Sequence, residues 1–226
     1  MQLGPAEVRF TGRAEGDLGH GGASVALDAL DQGVVARRSA VCELPWTWLR
    51  QVHGNTVVVV RAPGEGAGSA ADAAVTDRTG CALAVLTADC APVALASESG
   101  VIGVAHAGWR GLVAGVLQET VKAMRELGGG AVRAAIGPCI HAACYEFGNP
   151  DLEVVAARYG EGVRGTTSRG RTALDLPAGI RIALAEAGVL DVADVDVCTS
   201  CSREHWSWRA RRDMSRQAVV VWRAPS

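Results

Sequence analysis

Apolar residues cluster along the chain in runs about as long as a single β-strand. Several of these runs are continuous and rich in Val and Ala, a pattern typical of strands that are covered on both faces. Polar or glycine-rich stretches separate most of them, which favours turns over longer elements. We predict strands in seven segments: NTVVVVRA (55–62), ALAVLTAD (82–89), APVALAS (91–97), VIGVAHA (101–107), AVRAAIG (131–137), VDVCTS (195–200) and QAVVVWRA (217–224).

Helical spacing of apolar residues is less frequent. Residues 112–127, LVAGVLQETVKAMREL, carry apolar positions on one helical face and predict a single helix. Residues 176–188, LPAGIRIALAEAG, predict a second helix, with a proline in its first turn and a terminal glycine. Residues 34–44 predict a weaker one. The irregular order of these elements predicts an α+β fold rather than alternating βαβ units, and 226 residues suit one domain over 1–226.

Composition and charge argue against nucleic-acid-binding, membrane-spanning and secreted proteins. Hydrophobic residues make up 49% of the chain, enough for a sizeable core, and the formal net charge of −2 predicts no nucleic-acid partner. No run approaches the roughly 18 apolar residues of a membrane span, and the first residues lack the apolar region of a signal peptide. Seven cysteines are an odd number and are scattered, so we expect free thiols in a reducing, cytoplasmic setting.

Reactive side chains stand where apolar runs end. His53 lies in QVHGN, Asp89 and Cys90 close LTADC, and His106 and Arg110 belong to AHAGWR. Imidazole nitrogen and cysteine thiolate bind zinc, and a catalytic zinc site uses three protein ligands. The carboxylate could orient a ligand or move a proton, and the guanidinium could hold an anion. The alternatives are a core cysteine beside two hydrogen-bonded histidines, a capping aspartate and a surface ion pair.

The motifs QVHGN, ADAAVTD, LTADCAPVALA, VAHAGWRGLVAGV, IGPCIHAACYEFG and CTSC occur in the order of one family. From about residue 45 onward the chain resembles the bacterial laccase-domain, or multicopper polyphenol oxidase, family. Its members are described as purine nucleoside phosphorylases with adenosine deaminase activity, and also as peptidoglycan editing factors. The resemblance implies a single-domain α/β/β/α sandwich with mixed sheets, similar to the fold of cysteine hydrolases.

The resemblance also implies the site residues. It makes His53, Cys90 and His106 the zinc ligands, and Asp89, Cys90, Arg110 and Arg209 the catalytic residues. A later arginine, Arg216, also falls on a motif position, with Arg209 the better candidate for lining the site. The remaining motif cysteines are expected to be structural or to line the pocket wall; they are Cys139, Cys144, Cys198 and Cys201. A multicopper cluster is excluded by chemistry, because the chain has only five histidines.

The expected function is zinc-dependent purine nucleoside phosphorolysis together with adenosine deamination. Adenosine, inosine and methylthioadenosine are the candidate nucleosides, and phosphate is the second substrate. One alternative is a hydrolase in which His106 activates Cys90 as a nucleophile. Another is a non-enzymatic peptidoglycan-editing or cell-wall quality-control protein with a structural zinc ion, which would need a fourth protein ligand.

Overall fold

The computed structural model describes residues 1–19 and 31–224 as two β-sheets that face each other, with helices on their outer sides. Burial of the central strands explains their continuous apolar runs. Every residue of Ala82–Thr87, Ala91–Ser97 and Ile102–Ala107 is buried, since each strand is covered on both faces. This confirms a mixed fold of helices and sheets, whereas the similarity to cysteine hydrolases stays a prediction.

The first sheet has five strands in the spatial order β1-β2-β13-β6-β3. Its strands are β1 (Gln2–Leu3), β2 (Ala6–Phe10), β3 (Trp46–Trp48), β6 (Ala82–Thr87) and β13 (Gln217–Trp222). The last strand of the chain lies antiparallel to β2 and β6, while β3 runs parallel to β6. The C-terminal strand therefore sits at the centre of the sheet.

The second sheet has six strands in the order β12-β9-β7-β8-β5-β4. Its strands are β4 (Val57–Val59), β5 (Ala73–Thr76), β7 (Ala91–Ser97), β8 (Ile102–Ala107), β9 (Val132–Ile136) and β12 (Asp191–Asp194). The central pairs are antiparallel, and the two outermost pairs are parallel. A separate hairpin joins β10 (Arg164–Thr166) to β11 (Thr172–Leu174).

Three hydrophobic clusters fill the spaces between layers. Side chains such as Val85 and Val104 fill the space between the two sheets. Leu117 and Ile180 belong to helices that cover the outer face of the second sheet. Trp46 belongs to the cluster on the outer face of the first sheet. The helices are α1 (Gln32–Val41), α2 (Trp109–Val113), α3 (Val116–Glu126), α4 (Asn149–Tyr159), α5 (Leu176–Glu186) and α6 (Trp208–Arg211).

The helix predicted over 112–127 is two helices, α2 and α3. Gly115 between them has φ +87°, in the left-handed region that glycine adopts without strain. The helical spacing of apolar residues continues across Gly115, so this spacing alone did not reveal the break between the two helices. The predictions for α1 and α5 are confirmed. Within the described residues, no helix has the length and apolarity needed to cross a membrane.

The strand predicted at 195–200 is wrong. The strand in this region, β12, ends at Asp194 and pairs with β9. Asp196 then takes a positive φ of 54°, and its backbone N–H donates to the carboxylate of Asp194, which turns the chain. Cys198 forms only an isolated bridge with Cys139.

The corner between β6 and β7 determines the position of the site. These strands belong to different sheets, so the chain crosses from one sheet to the other within residues 88–90. Asp89 makes this crossing at φ +102°, an unusual conformation for a residue with a side chain. The polar residues of LTADC thus lie at a bend between the two sheets.

Candidate metal centre

Strand pairing brings Cys90 and His106 together. In the antiparallel register of β7 and β8, Ala91 pairs with Ala107 and Pro92 pairs with His106. Because side chains alternate between faces, residue 90 projects to the same side of the sheet as residues 106 and 108. The cysteine and the histidine therefore meet at one end of the second sheet.

His53 reaches the same point from a tight turn. Its φ is 60°, in the left-handed region, and its side chain is exposed. Three consecutive backbone N–H groups of this turn donate to the carboxylate of Asp72, from Val52 at 3.2 Å, His53 at 2.9 Å and Gly54 at 2.8 Å. This carboxylate fixes the strained turn that carries the histidine.

Asp72 also orients the second histidine. Its Oδ1 lies 2.8 Å from Nδ1 of His106, and both side chains are almost fully buried. Because an ionised carboxylate can only accept, Nδ1 carries the proton and Nε2 is left free to bind a metal ion. Burial opposes ionisation of Asp72, but hydrogen bonds from His106 and from the Gly54 backbone hold its pKa below the usual range.

The three predicted ligands converge. Their ligand atoms, from His53, Cys90 and His106, all lie within 4.8 Å of one another, and Cys90 Sγ is 3.8 Å from His53 Nε2. Burial raises the pKa of the Cys90 thiol, but the charge on His106 and hydrogen bonds from both imidazoles outweigh it and lower that pKa. The thiolate, which is the form that binds metals, is therefore favoured at this position.

Gly108 makes the space in which the ligands meet. It precedes helix α2, and a Cβ atom placed on it would lie 2.9 Å from His53 Cδ2 and 3.0 Å from Cys90 Sγ. Any side chain here would push the two ligands away. Two imidazoles and one thiolate gathered around such a cradle are the donor set of a catalytic zinc site, so the residues fit a zinc ion.

We predict that Gly108→Ala weakens zinc binding while the metal-free chain stays folded. The φ of Gly108 is −76°, so alanine introduces no backbone strain, and the effect comes from the contacts of its Cβ with His53 and Cys90. Zinc affinity measured by competition with a chelator should fall on the order of 10–100-fold, as it does when ligand orientation is disturbed. Gly130→Ala is the control, because a Cβ there meets nothing within 4 Å. Equal affinities in the two variants would contradict the prediction.

A cavity of about 700 Å³ opens beside the three ligands. Small-molecule sites span roughly 300–1,000 Å³, so it is large enough for a nucleoside-sized ligand. Trp208 and Met214 contribute apolar surface to the wall and are 43% and 52% exposed. The remaining lining residues are Gly19, Leu49, Arg50, Gln51, His53, Leu86, Thr87, Ala88, Cys90, His106 and Arg216.

The side chain of Asp89 does not belong to the lining of this cavity. Its Oδ1 accepts a hydrogen bond from Thr199 Oγ1 at 2.7 Å, and its Oδ2 accepts one from the backbone N–H of Arg209 at 2.6 Å. The backbone carbonyl of Asp89 accepts from the N–H of Ile140. These contacts connect the corner that carries Cys90 to three other parts of the chain. The predicted role of Asp89 in proton transfer stays a prediction.

The two arginines predicted to be catalytic also lie outside the cavity lining. Arg110 lies over the ring of Trp109, with 4.3 Å between its guanidinium carbon and the ring centroid. Arg209 donates to the backbone carbonyl of Glu146 and lies 5.0 Å from the ring centroid of Tyr145. By contrast, Arg216 lines the cavity, although the sequence motif favoured Arg209 for that position.

Asp72 was missed as a site residue by sequence reasoning. It stands in the motif ADAAVTD between alanines that are fully buried. A buried carboxylate needs several hydrogen-bond donors around it. An aspartate within a run of buried alanines was therefore the feature of the sequence that indicated a site residue. Its partners were not visible, because they depend on the pairing of β5 with β8, which places Asp72 beside His106.

Comparisons with known proteins identify the family of the chain. Residues 28–224 match the family described as multi-copper polyphenol oxidoreductase laccase, which confirms the resemblance seen in the motifs. The chain is 45% identical over 179 residues to a purine nucleoside phosphorylase of Streptomyces coelicolor, covering 77% of this chain and 74% of that one. It is 44% identical over 183 residues to a purine nucleoside phosphorylase of Streptomyces griseus, covering 77% and 73%. A crystal structure of a Neisseria meningitidis protein aligns with a TM-score of 0.82 at 29% identity, covering 99% of this chain and 96% of that one.

Proposed function

The chain belongs to the multi-copper polyphenol oxidoreductase laccase family, and we propose that it is a zinc-dependent purine nucleoside phosphorylase that also deaminates adenosine. Adenosine, inosine and methylthioadenosine are the proposed nucleosides, phosphate is the second substrate, and the proposed setting is the cytoplasm. The observation that carries the proposal is the convergence of His53, Cys90 and His106 on one side of a cavity of about 700 Å³. The names of the two Streptomyces relatives support the phosphorylase assignment.

His53, Cys90 and His106 are the residues that would hold the zinc ion. When bound, zinc supplies Lewis acidity and an activated water at neutral pH. The burial of His106, which is 3% exposed, keeps water from one side of the site and strengthens the electrostatic interactions there. Asp72 keeps the imidazole of His106 in the tautomer and orientation that the site requires.

The cavity wall provides a surface for the purine. Trp208 presents an exposed aromatic ring, and flat aromatic rings stack on one another with additional stabilisation of about 0.5–1.5 kcal/mol. Met214 adds a flexible apolar side chain beside it. We assign these two residues to binding the base, which leaves the ribose and its anomeric carbon nearer the ligands.

Phosphate needs cationic groups close to the anomeric carbon. In phosphorolysis a phosphate oxygen forms a bond to the anomeric carbon. The bond between this carbon and the purine nitrogen breaks, and the purine then takes up a proton. Arg216 is well placed at the cavity wall, because the two N–H bonds of its Nη1 are shared among three backbone carbonyls, those of Asp213, Met214 and Ser215, which holds this side chain in one orientation. A positioned guanidinium binds the negatively charged phosphate and holds it in place for attack.

Asp89, Arg110 and Arg209 remain in the proposal as catalytic residues, although none of the three lines the cavity. Asp89 precedes Cys90, and its carboxylate accepts the backbone N–H of Arg209, which connects the corner that carries Cys90 to the start of α6. Proton transfer by Asp89 requires its carboxylate to exchange the hydroxyl of Thr199 for a substrate group. Contact of Arg110 or Arg209 with phosphate requires each guanidinium to leave the aromatic ring it covers.

The experiment that tests the function is product analysis by mass spectrometry. Zinc-loaded protein is incubated with adenosine, with and without phosphate. We expect adenine and ribose 1-phosphate only when phosphate is present, and inosine in both reactions. Free adenine without phosphate would indicate hydrolysis rather than phosphorolysis. No conversion of adenosine, inosine or methylthioadenosine by zinc-loaded protein would refute the proposal.

A cysteine hydrolase is the second candidate, favoured by one observation. Cys90, His106 and Asp72 form a thiolate–imidazole–carboxylate arrangement in which the charge on Cys90 and the hydrogen bond to Asp72 raise the pKa of His106 against the effect of burial. Such a pair activates a cysteine for nucleophilic attack on an amide. The similarity of the fold to cysteine hydrolases, expected from the sequence, belongs to this alternative. Metal removal separates the two, because a cysteine nucleophile retains its activity without zinc.

A further inference from the structure

A second group of thiols lies apart from the candidate metal centre. We call Cys144, Cys198 and Cys201 the thiol cluster. Their three sulfur atoms lie within 4.8 Å of one another, and the sulfurs of Cys144 and Cys201 are 3.0 Å apart. Zinc–sulfur bonds of about 2.3 Å in a tetrahedral site place two sulfurs about 3.8 Å apart. The Cys144–Cys201 pair is closer than this, and the other separations extend to at most 4.8 Å, so adjustments of about 1 Å would let all three sulfurs bind one metal ion.

Two backbone segments deliver these sulfurs. Cys198 and Cys201 flank a turn that is closed by the N–H of Ser202 donating to the carbonyl of Cys198 at 2.9 Å. Two cysteines separated by two residues in a tight turn are a common pair of zinc ligands. Cys144 ends the short 3-10 helix Ala142–Cys144. The three ligands thus come from segments of regular local structure.

The two segments are fastened to each other beside the cluster. Cys139 N–H donates to the carbonyl of Val197 at 3.1 Å, and Thr199 N–H donates to the carbonyl of Cys139 at 3.0 Å. This bridge fixes the distance between the turn at 198–202 and the loop that contains Cys144. The sulfurs are therefore preorganised, which lowers the entropic cost of binding an ion.

Exposure distinguishes the thiol cluster from the three cysteines of the core. Cys42, Cys81 and Cys139 are buried like ordinary core residues, whereas Cys201 is exposed and its two neighbours are half-buried. A metal ion can thus reach the sulfurs, and water can complete its coordination. A disulfide would join only two of the sulfurs and would leave the third unused, although all three converge.

We propose that Cys144, Cys198 and Cys201 bind one zinc ion as thiolates, separate from the His53–Cys90–His106 centre. This ion fastens the turn at 198–202 to the loop that carries Cys144. Binding releases the thiol protons, because the thiolate is the form that ligates zinc. Three thiolates leave the fourth position of the ion to water, so this is an open site and differs from the closed four-ligand site of a typical structural zinc. Its effect is to cross-link the two segments, and this effect does not depend on the proposed reaction.

Thr199 connects the thiol cluster to the corner that carries Cys90. This residue stands between Cys198 and Cys201, and its hydroxyl donates to Asp89 at 2.7 Å. Asp89 forms the corner next to Cys90. An ion in the thiol cluster therefore stabilises the wall behind the candidate metal centre without touching substrate.

Metal stoichiometry tests this proposal. The full-length chain is reduced, stripped of metal and titrated with Zn²⁺, and separately with Co²⁺, whose thiolate complexes absorb in the near ultraviolet. We expect about two ions per wild-type chain by native mass spectrometry, and about one ion in each of Cys90→Ala and Cys201→Ser. Cobalt-loaded Cys90→Ala should keep most of the thiolate absorption, whereas Cys201→Ser should lose most of it.

Two further variants keep the test decisive. Cys144→Ser should behave like Cys201→Ser, so a folding failure of one variant leaves the other. Cys81→Ala is the matched control, because this buried cysteine belongs to the hydrophobic core between the two sheets. The variant should still bind two ions. One ion in the reduced wild type, with no change in Cys201→Ser, would overturn the proposal. So would a Cys144–Cys201 disulfide in the isolated protein whose reduction creates no second metal site.

Discussion

Replacing Cys90 with Ala is expected to abolish adenosine turnover and to empty the candidate metal centre, while the chain keeps its fold. The variant removes the only thiolate among the three ligands, and two histidines with water hold zinc far more weakly. Most single substitutions reduce the free energy of unfolding by about 1 kcal/mol, and this half-buried side chain should be no exception. Zinc content, initial rates and circular dichroism of the variant measure the three effects.

Two controls make this result interpretable. Cys81→Ala removes a fully buried thiol from the space between the sheets and should keep both zinc and activity. Chelation of the wild type should stop turnover, and added zinc should restore it. Full activity in zinc-free wild type, lost only in Cys90→Ala, would instead establish the cysteine as a nucleophile and remove the metal from the mechanism.

The three proposed zinc ligands could be predicted from the sequence because they stand in distinctive motifs at the ends of apolar runs. The strands around Cys90 and His106 were equally visible, since Ala82–Thr87, Ala91–Ser97 and Ile102–Ala107 are buried on both faces and hence continuously apolar. The local pattern of apolar residues was sufficient to predict these strands, because burial determines both the composition of each strand and the position at which polar residues begin.

Features that depend on backbone conformation or long-range pairing could not be predicted in this way. The apolar period passes through Gly115 unchanged, although the left-handed conformation of this residue divides the helix. The choice of Arg216 over Arg209 as a cavity residue depends on how the segment after α6 folds back, since Arg216 binds the carbonyls of its own neighbours. Asp72 shows the same limit most clearly, because all its partners are distant in sequence.

The position of Asp72 gives it control over two ligands at once. Its carboxylate accepts three backbone N–H groups from the turn around His53 and the Nδ1–H of His106, and it is completely buried. Each accepted bond uses a lone pair that only an ionised carboxylate offers on both oxygens. An amide has one accepting oxygen, and its nitrogen would face the N–H donors of the turn.

Asp72→Asn is therefore expected to impair both metal binding and folding, although the residue touches neither zinc nor substrate. At least one donor of the His53 turn loses its partner, and an unsatisfied buried donor costs about 1–3 kcal/mol of the free energy of unfolding. Loss of the carboxylate that orients His106 should lower zinc affinity about 10–100-fold. Urea unfolding of the metal-free protein measures the first effect, and chelator competition measures the second. Glu43→Gln, which alters an exposed carboxylate, should change neither quantity. Wild-type zinc affinity in Asp72→Asn would show that the two histidines hold their positions without this carboxylate.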